Sequence, residues 1–298
     1  MILYSFICFG LGWVLDDCTI AVLVAIANFS FITAWAAESV QLMVTGEAYQ
    51  HTEASIQAGI SNAQVALPTS LNHGKIYQGK FADLPKIEGK APVVIFLHGS
   101  AGIDPKYGYD HWQKWLAAHG IASFIFDSLQ LENRLRYQSP ADKEIYEKVH
   151  QLRSSEIGIA LDALKKTSWA ETNKLFLAGN AEGAIAVARY DGDAFLGKLI
   201  YSWSCEDNYY VKHHNTSLKP TPVLNIIADA DKYFSQKNDF IGNTSATGNC
   251  AATFSTAENA DVFQVVLIPN APHNVLNLPA ARSATLGFIE DILQPTQP

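Results

Sequence analysis

No lysine or arginine occurs before Lys75, and the basic residues that follow form no cluster. Nucleic-acid surfaces are built from stripes of Lys and Arg, so this pattern, with a formal net charge of -8, argues against nucleic acid as a partner. Charge is sparse in general, at 17% of residues, with no run of one sign. Cysteine is scarce too: the four residues include no C-x-x-C pair and no metal-ligand spacing. No cofactor motif stands out. Internal repeats and low-complexity tracts are absent, and 298 residues suit one large α/β domain better than two ordinary ones.

The N-terminus differs from the rest. Asp16, Asp17, Glu38, Glu47 and Glu53 all precede the first basic residue, and Thr19–Ala36 (TIAVLVAIANFSFITAWA) is almost wholly apolar. Ala34-Trp35-Ala36 supplies a small-x-small pattern before a cleavage point at Ala37. A positive leading region is missing, and a second apolar run, Met1–Leu15, comes first. Residues 1–36 therefore read as a signal peptide or an uncleaved membrane anchor of marginal length, with a buried structural segment as the third reading. Export, periplasmic or secreted, follows from the first two. The segment 37–72 is polar and irregular and reads as a linker and lead-in to a domain spanning 73–298. Once a leader is removed, Cys205 and Cys250 remain, an even pair that an oxidising compartment would join; two buried free thiols are the alternative.

From Lys75 onward strands and helices alternate. Buried strands are expected at Val93–Leu97, Ile121–Phe126, Lys174–Leu177, Leu199–Trp203, Val223–Ala228 and Val262–Ile268. Helices are expected at Tyr109–His119, Ala141–Lys166, Ala181–Tyr190 and Ala280–Leu293. Such alternation predicts a mostly parallel central sheet with helices on both faces, a three-layer α/β sandwich. Its chemistry belongs at the carboxyl ends of the strands.

Four stretches fall at such ends. Gly179-Asn180-Ala181-Glu182-Gly183 follows one strand and opens a helix, the setting of a nucleophile elbow, G-x-S-x-G, in which Gly179 and Gly183 give room to a strained central residue. The central residue here is Ala181. The glycine-rich turn His98-Gly99-Ser100-Ala101-Gly102 follows the Val93–Leu97 strand. It suits an oxyanion hole formed by the backbone N–H groups of Ser100 and Glu182. His98 reads as a buried brace of that turn. After Val223–Ala228 comes Ala228-Asp229-Ala230-Asp231, with Asp231 preferred over Asp229 as the acid that orients a histidine. After the last strand comes Pro269-Asn270-Ala271-Pro272-His273, and among nine histidines His273 alone holds that place. Position 181, Asp231, His273 is the chain order of nucleophile, acid and base in one hydrolase fold.

From about Gly74 to Ile292 the chain resembles the dienelactone hydrolase family of α/β-hydrolases. The stretches that carry the resemblance are VVIFLHGSAGI (93–103), YGYDHWQKWLAAHGIASFIFDS (107–128), LFLAGNAEGAIAVARY (175–190), VLNIIADADKYF (223–234) and VVLIPNAPHNV (265–275). The resemblance implies a cofactor-free enzyme that cleaves small ester or lactone substrates, with its nucleophile at Ala181, its acid at Asp231 and its base at His273. Alanine has no atom with which to attack a carbonyl. Two accounts stand: a serine replaced in an otherwise complete esterase, or a non-catalytic binding protein on a hydrolase scaffold. A membrane tether through residues 1–36 is a further possible attachment.

Overall fold

The computed structural model describes residues 44–236, 238 and 245–294. The leader or anchor reading of residues 1–36 lies outside them. Among the described residues no helix is long and apolar enough to cross a membrane.

The core is an eight-stranded sheet. In chain order its strands are β1 (Gln64–Leu67), β2 (Tyr77–Lys80), β3 (Ala91–Leu97), β4 (Ala122–Ile125), β5 (Ala170–Asn180), β6 (Gly197–Tyr201), β7 (Val223–Ala228) and β8 (Phe263–Ile268). They lie side by side as β8-β7-β6-β5-β3-β4-β1-β2. All neighbours are parallel except at one edge, where β1 runs antiparallel to both β4 and β2. The predicted α/β sandwich is thus present, with one departure. The segment 37–72, read as a lead-in, is regular from Glu53: helix α1 (Glu53–Ser61) and strand β1 belong to the domain. Their apolar runs are too short to stand out by period, and the ladder to β4 supplies what local pattern lacks.

The strict two-residue period of a strand sorts side chains between the two faces. In β3, Val93, Ile95 and Leu97 enter one core, while Val94 and Phe96 enter the other. The first core is closed by α3 (Lys143–Lys165), through Tyr146, Ile157 and Leu164, and by α4 (Glu182–Arg189), through Ala184 and Ile185. The second is closed by α2 (Tyr109–Ala118), through Trp112 and Leu116, and by α6 (Pro279–Leu293), through Phe288 and Ile289. β3 and β5 are buried along most of their length on both faces, as parallel central strands must be.

Cys205 and Cys250 are joined, with α5 (Ala251–Phe254) following the second cysteine. The bond ties the loop after β6 to the segment before β8 and closes a loop of 45 residues. Its cross-link removes loop-closure entropy from the unfolded chain. Replacing both cysteines by alanine is expected to lower the unfolding free energy by up to about 4 kcal/mol in urea titration. Alkylation of the unfolded, unreduced protein, followed by intact-mass measurement, is expected to add no groups at these two positions.

Candidate active site

The carboxyl ends of five parallel strands come into line. Leu97 of β3 faces Gly179 of β5, Asn180 faces Tyr201 of β6, and Ala228 of β7 faces Ile268 of β8. The four motifs follow directly from these ends, so the register of the sheet brings them to one edge.

At the end of β5 the chain turns sharply into α4. Ala181 takes φ 50° and ψ −114°, outside the regions an alanine prefers. Its N–H is held by the Tyr201 carbonyl at 3.0 Å. The flanking glycines are required by space: a Cβ on Gly179 would stand 2.6 Å from the Gly183 carbonyl oxygen, and one on Gly183 would collide with the Leu97 carbonyl. This is the elbow expected from the sequence, with a methyl group where it raises its central side chain. The next N–H, that of Glu182, opens α4 and carries the partial positive charge of a helix start.

The turn after β3 lies alongside. The Gly99 N–H donates to the Tyr109 hydroxyl at 3.0 Å, and Ser100 follows on the cleft surface. His98 is fully buried behind the turn. Its Nδ1 lies 2.7 Å from the Gly99 carbonyl, and its Nε2 accepts the Ser128 N–H at 3.2 Å. Those two bonds set the neutral tautomer. Burial, with Arg153 nearby, holds its pKa well below that of an ordinary histidine. It braces the turn, as read from the sequence.

Asp231 and His273 meet. Oδ2 of Asp231 lies 2.6 Å from Nδ1 of His273, and Oδ1 accepts the N–H groups of Tyr233 at 2.9 Å and Phe234 at 3.1 Å. The carboxylate is wholly buried, and the imidazole is 20% exposed. Asp229 instead accepts the Asn270 N–H at 2.9 Å and so anchors the loop that carries His273. The His273 carbonyl accepts the Ser202 hydroxyl at 2.5 Å. With Nδ1 engaged by Asp231, Nε2 is the ring nitrogen that this contact leaves unengaged. Ala181, His273 and Ser100 all line one cleft of about 770 Å³.

A group of buried charges lies beneath the cleft, and no sequence motif pointed to it. The Glu182 carboxylate accepts Arg134 at 2.7 Å and the Tyr137 hydroxyl at 2.9 Å, with Arg153 at 3.5 Å. Arg153 also donates to the His98 carbonyl at 2.7 Å and pairs with Glu156 at 2.7 Å, which in turn meets His51 at 3.1 Å. All four charged side chains of the two Arg and two Glu are at most 1% exposed. Burial alone would lower the pKa of Arg134, but Glu182 and Glu156 outweigh it and hold the guanidinium above its ordinary value. The side chain of Glu182 is thereby kept away from its own N–H, as the elbow requires, and through a stronger contact than the helix dipole. One signal was available in the sequence: Arg153 lies four residues before Ile157, on the apolar stripe of α3.

No protein-family model matches this chain, nor does any curated protein sequence. Solved structures do resemble it. TT1662 from Thermus thermophilus superposes with a TM-score of 0.50 at 16% identity, over 77% of this chain and 98% of that one. Est1E from Butyrivibrio proteoclasticus gives 0.47 at 15% identity, over 78% and 93%. The thermophilic esterase Est2 from Thermogutta terrifontis gives 0.48 at 13% identity, over 78% and 86%. With the sheet order and the strand–elbow–helix at Ala181, the fold is that of the α/β-hydrolases.

The buried charges balance only as a set. Glu182→Ala is expected to leave two guanidinium groups against one carboxylate and to cost about 3–5 kcal/mol of unfolding free energy. Glu182→Gln, which keeps shape and two polar atoms, is expected to cost less. Urea denaturation of the two variants side by side measures the difference.

Proposed function

We propose that this cleft is the carboxylic-ester site of a serine-type hydrolase whose nucleophile is missing, so that the chain binds esters or lactones without forming an acyl-enzyme. The observation that carries the reading is the backbone of Ala181. Its conformation costs on the order of 1–3 kcal/mol, and alanine gains nothing from it. A serine in the same conformation would be presented to the cleft that His273, Ser100 and Glu182 also line, which supports a base and an oxyanion hole there.

The chemistry follows from the geometry. With a serine at this position, Oγ attacks the ester carbonyl carbon while His273 Nε2 takes its proton. Asp231 holds the ring in the required tautomer and stabilises the imidazolium. The developing oxyanion is received by the N–H groups of Ser100 and Glu182. Collapse expels the alcohol, which takes the proton back from His273, and water then cleaves the acyl group by the same steps. With Ala181 the first bond cannot form, while the donors and the base are untouched. The same alanine supports a second reading, in which the scaffold serves binding alone.

Ala181→Ser is expected to be labelled by a fluorophosphonate probe, whereas the parent chain stays unlabelled. Turnover of p-nitrophenyl acetate should rise about 10³-fold or more, from the scale of triad knockouts. A folded Ala181→Ser variant that resists labelling would exclude Asp231 as the orienting acid and His273 as the base.

The disulfide also supports export of the domain, since such bonds persist in oxidising compartments. N-terminal sequencing of protein produced in its own host is expected to begin near Ala37. Recovery of the full-length chain from the cytosol would overturn this.

A further inference from the structure

The wall of the cleft narrows the class of ester it takes, an inference that rests on the ester-site reading above. Among the described residues 21 line the cleft; six of these are tyrosines and one is a phenylalanine, and none is Leu, Ile, Val or Met. A pocket for an alkyl chain is lined by aliphatic side chains, which fill the space around flexible methylenes. Aromatic faces and edges select flat rings, because the quadrupoles of two rings favour offset-stacked and edge-to-face contact.

The rings begin at the base itself. Tyr233 stands edge-on to His273, with centroids 4.7 Å apart and planes at 74°. Phe234 lies 5.9 Å from His273 and stacks against Tyr209 at 6.4 Å and 19°. Tyr210 meets Phe234 at 5.7 Å and Tyr137 at 5.8 Å. These rings contact one another in turn from His273 to Tyr137, so a ring seated against the first of them lies next to the ester carbonyl.

Tyr210 adds a polar handle. The residue is 4% exposed and lines the cleft. Its backbone N–H goes to Asn208 and its carbonyl to His150, but its phenol makes no hydrogen bond among the described residues. Burial raises the phenol's pKa, so it remains a proton donor. A buried donor that faces a ligand space calls for an acceptor on the ligand. The acids in the wall cannot serve a sugar's hydroxyls, because Glu182 is engaged by Arg134 and Tyr137, and Asp231 is not among the lining residues.

We propose that the cleft recognises esters of aromatic carboxylic acids whose ring carries an oxygen substituent, with the ring against Tyr233 and Phe234 and the substituent accepting from Tyr210. Aliphatic and sugar esters are the competing classes.

Binding tests this in the chain as it stands, with no nucleophile needed. By calorimetry, methyl 4-hydroxybenzoate is expected to bind at least tenfold more tightly than methyl hexanoate or glucose pentaacetate. Equal or tighter binding of either competitor overturns the proposal. In the Ala181→Ser background, kcat/KM for the same benzoate and for methyl acetate is compared, each corrected for its rate of alkaline hydrolysis. Tyr233→Leu is expected to lower the aryl-to-acetyl ratio about tenfold, and Tyr210→Phe to abolish the preference for 4-hydroxybenzoate over benzoate. A fall in both activities by the same factor marks a merely structural role and overturns the assignment. The two readings fail separately. Selective binding of the aryl ester with no fluorophosphonate labelling of Ala181→Ser sinks the hydrolase reading alone. Labelling without aryl selectivity sinks this one.

Discussion

The parallel pairing of β3 with β5 is the constraint on which the site depends. Leu97 stands opposite Gly179, and one residue further on the two chains leave the sheet as the turn at His98–Gly102 and the elbow at Ala181. The paired strands thereby set the separation of the Ser100 and Glu182 N–H groups. Gly183 lies so close to the Leu97 carbonyl that no side chain fits between them. A slip of one residue would exchange the faces of either strand, moving Val94 and Phe96 into the core now filled by Val93, Ile95 and Leu97. Burial on both faces makes that slip costly, so the core guards the geometry of the site.

Beneath the two turns, buried charge joins elements that the sheet alone does not connect. Arg153 on α3 reaches the carbonyl of His98 and the carboxylates of Glu156 and Glu182, and Glu156 reaches His51 ahead of α1. Taking such charges out of water costs several kcal/mol per ion before pairing, so the cluster contributes little as a source of net stability. Its effect is geometric. It admits one arrangement of the turn at His98–Gly102, the elbow and two helices, because any other leaves an unpaired charge in the core.

At the surface of this frame the alanine and the aromatic wall bear on different steps. On the function proposed above, position 181 governs whether a covalent bond to an ester can form, since that needs an oxygen or sulfur. On the same reading the wall selects the ester and sets how it lies. Neither alters the contact between Asp231 and His273, which is fixed by the backbone N–H groups that hold the carboxylate and by the loop that Asp229 anchors.

Much of this was legible in the residues. Hydrophobic runs separated by helical periods dictate the alternating fold, since each strand and helix must bury its own apolar face. Gly179 and Gly183 around Ala181 after a strand mark the elbow, because the turn tolerates no side chain at either glycine. Asp231 and His273 could be chosen by their place after successive strands. Other features were not local. β1 is too short to declare itself until β4 offers a ladder, and Glu182 looks like an ordinary first-turn acid until Arg134 and Arg153 arrive from elsewhere in the chain. Tyr137, Tyr209, Tyr210 and Tyr233 sit in irregular or brief segments with no shared period, and become one wall only when loops from different strands converge. The sequence by itself determined the order of elements and the chemistry available at each strand end, because those depend on neighbours along the chain. Tertiary structure decided which charges pair and which rings share a surface, because those depend on residues that meet only across the folded sheet.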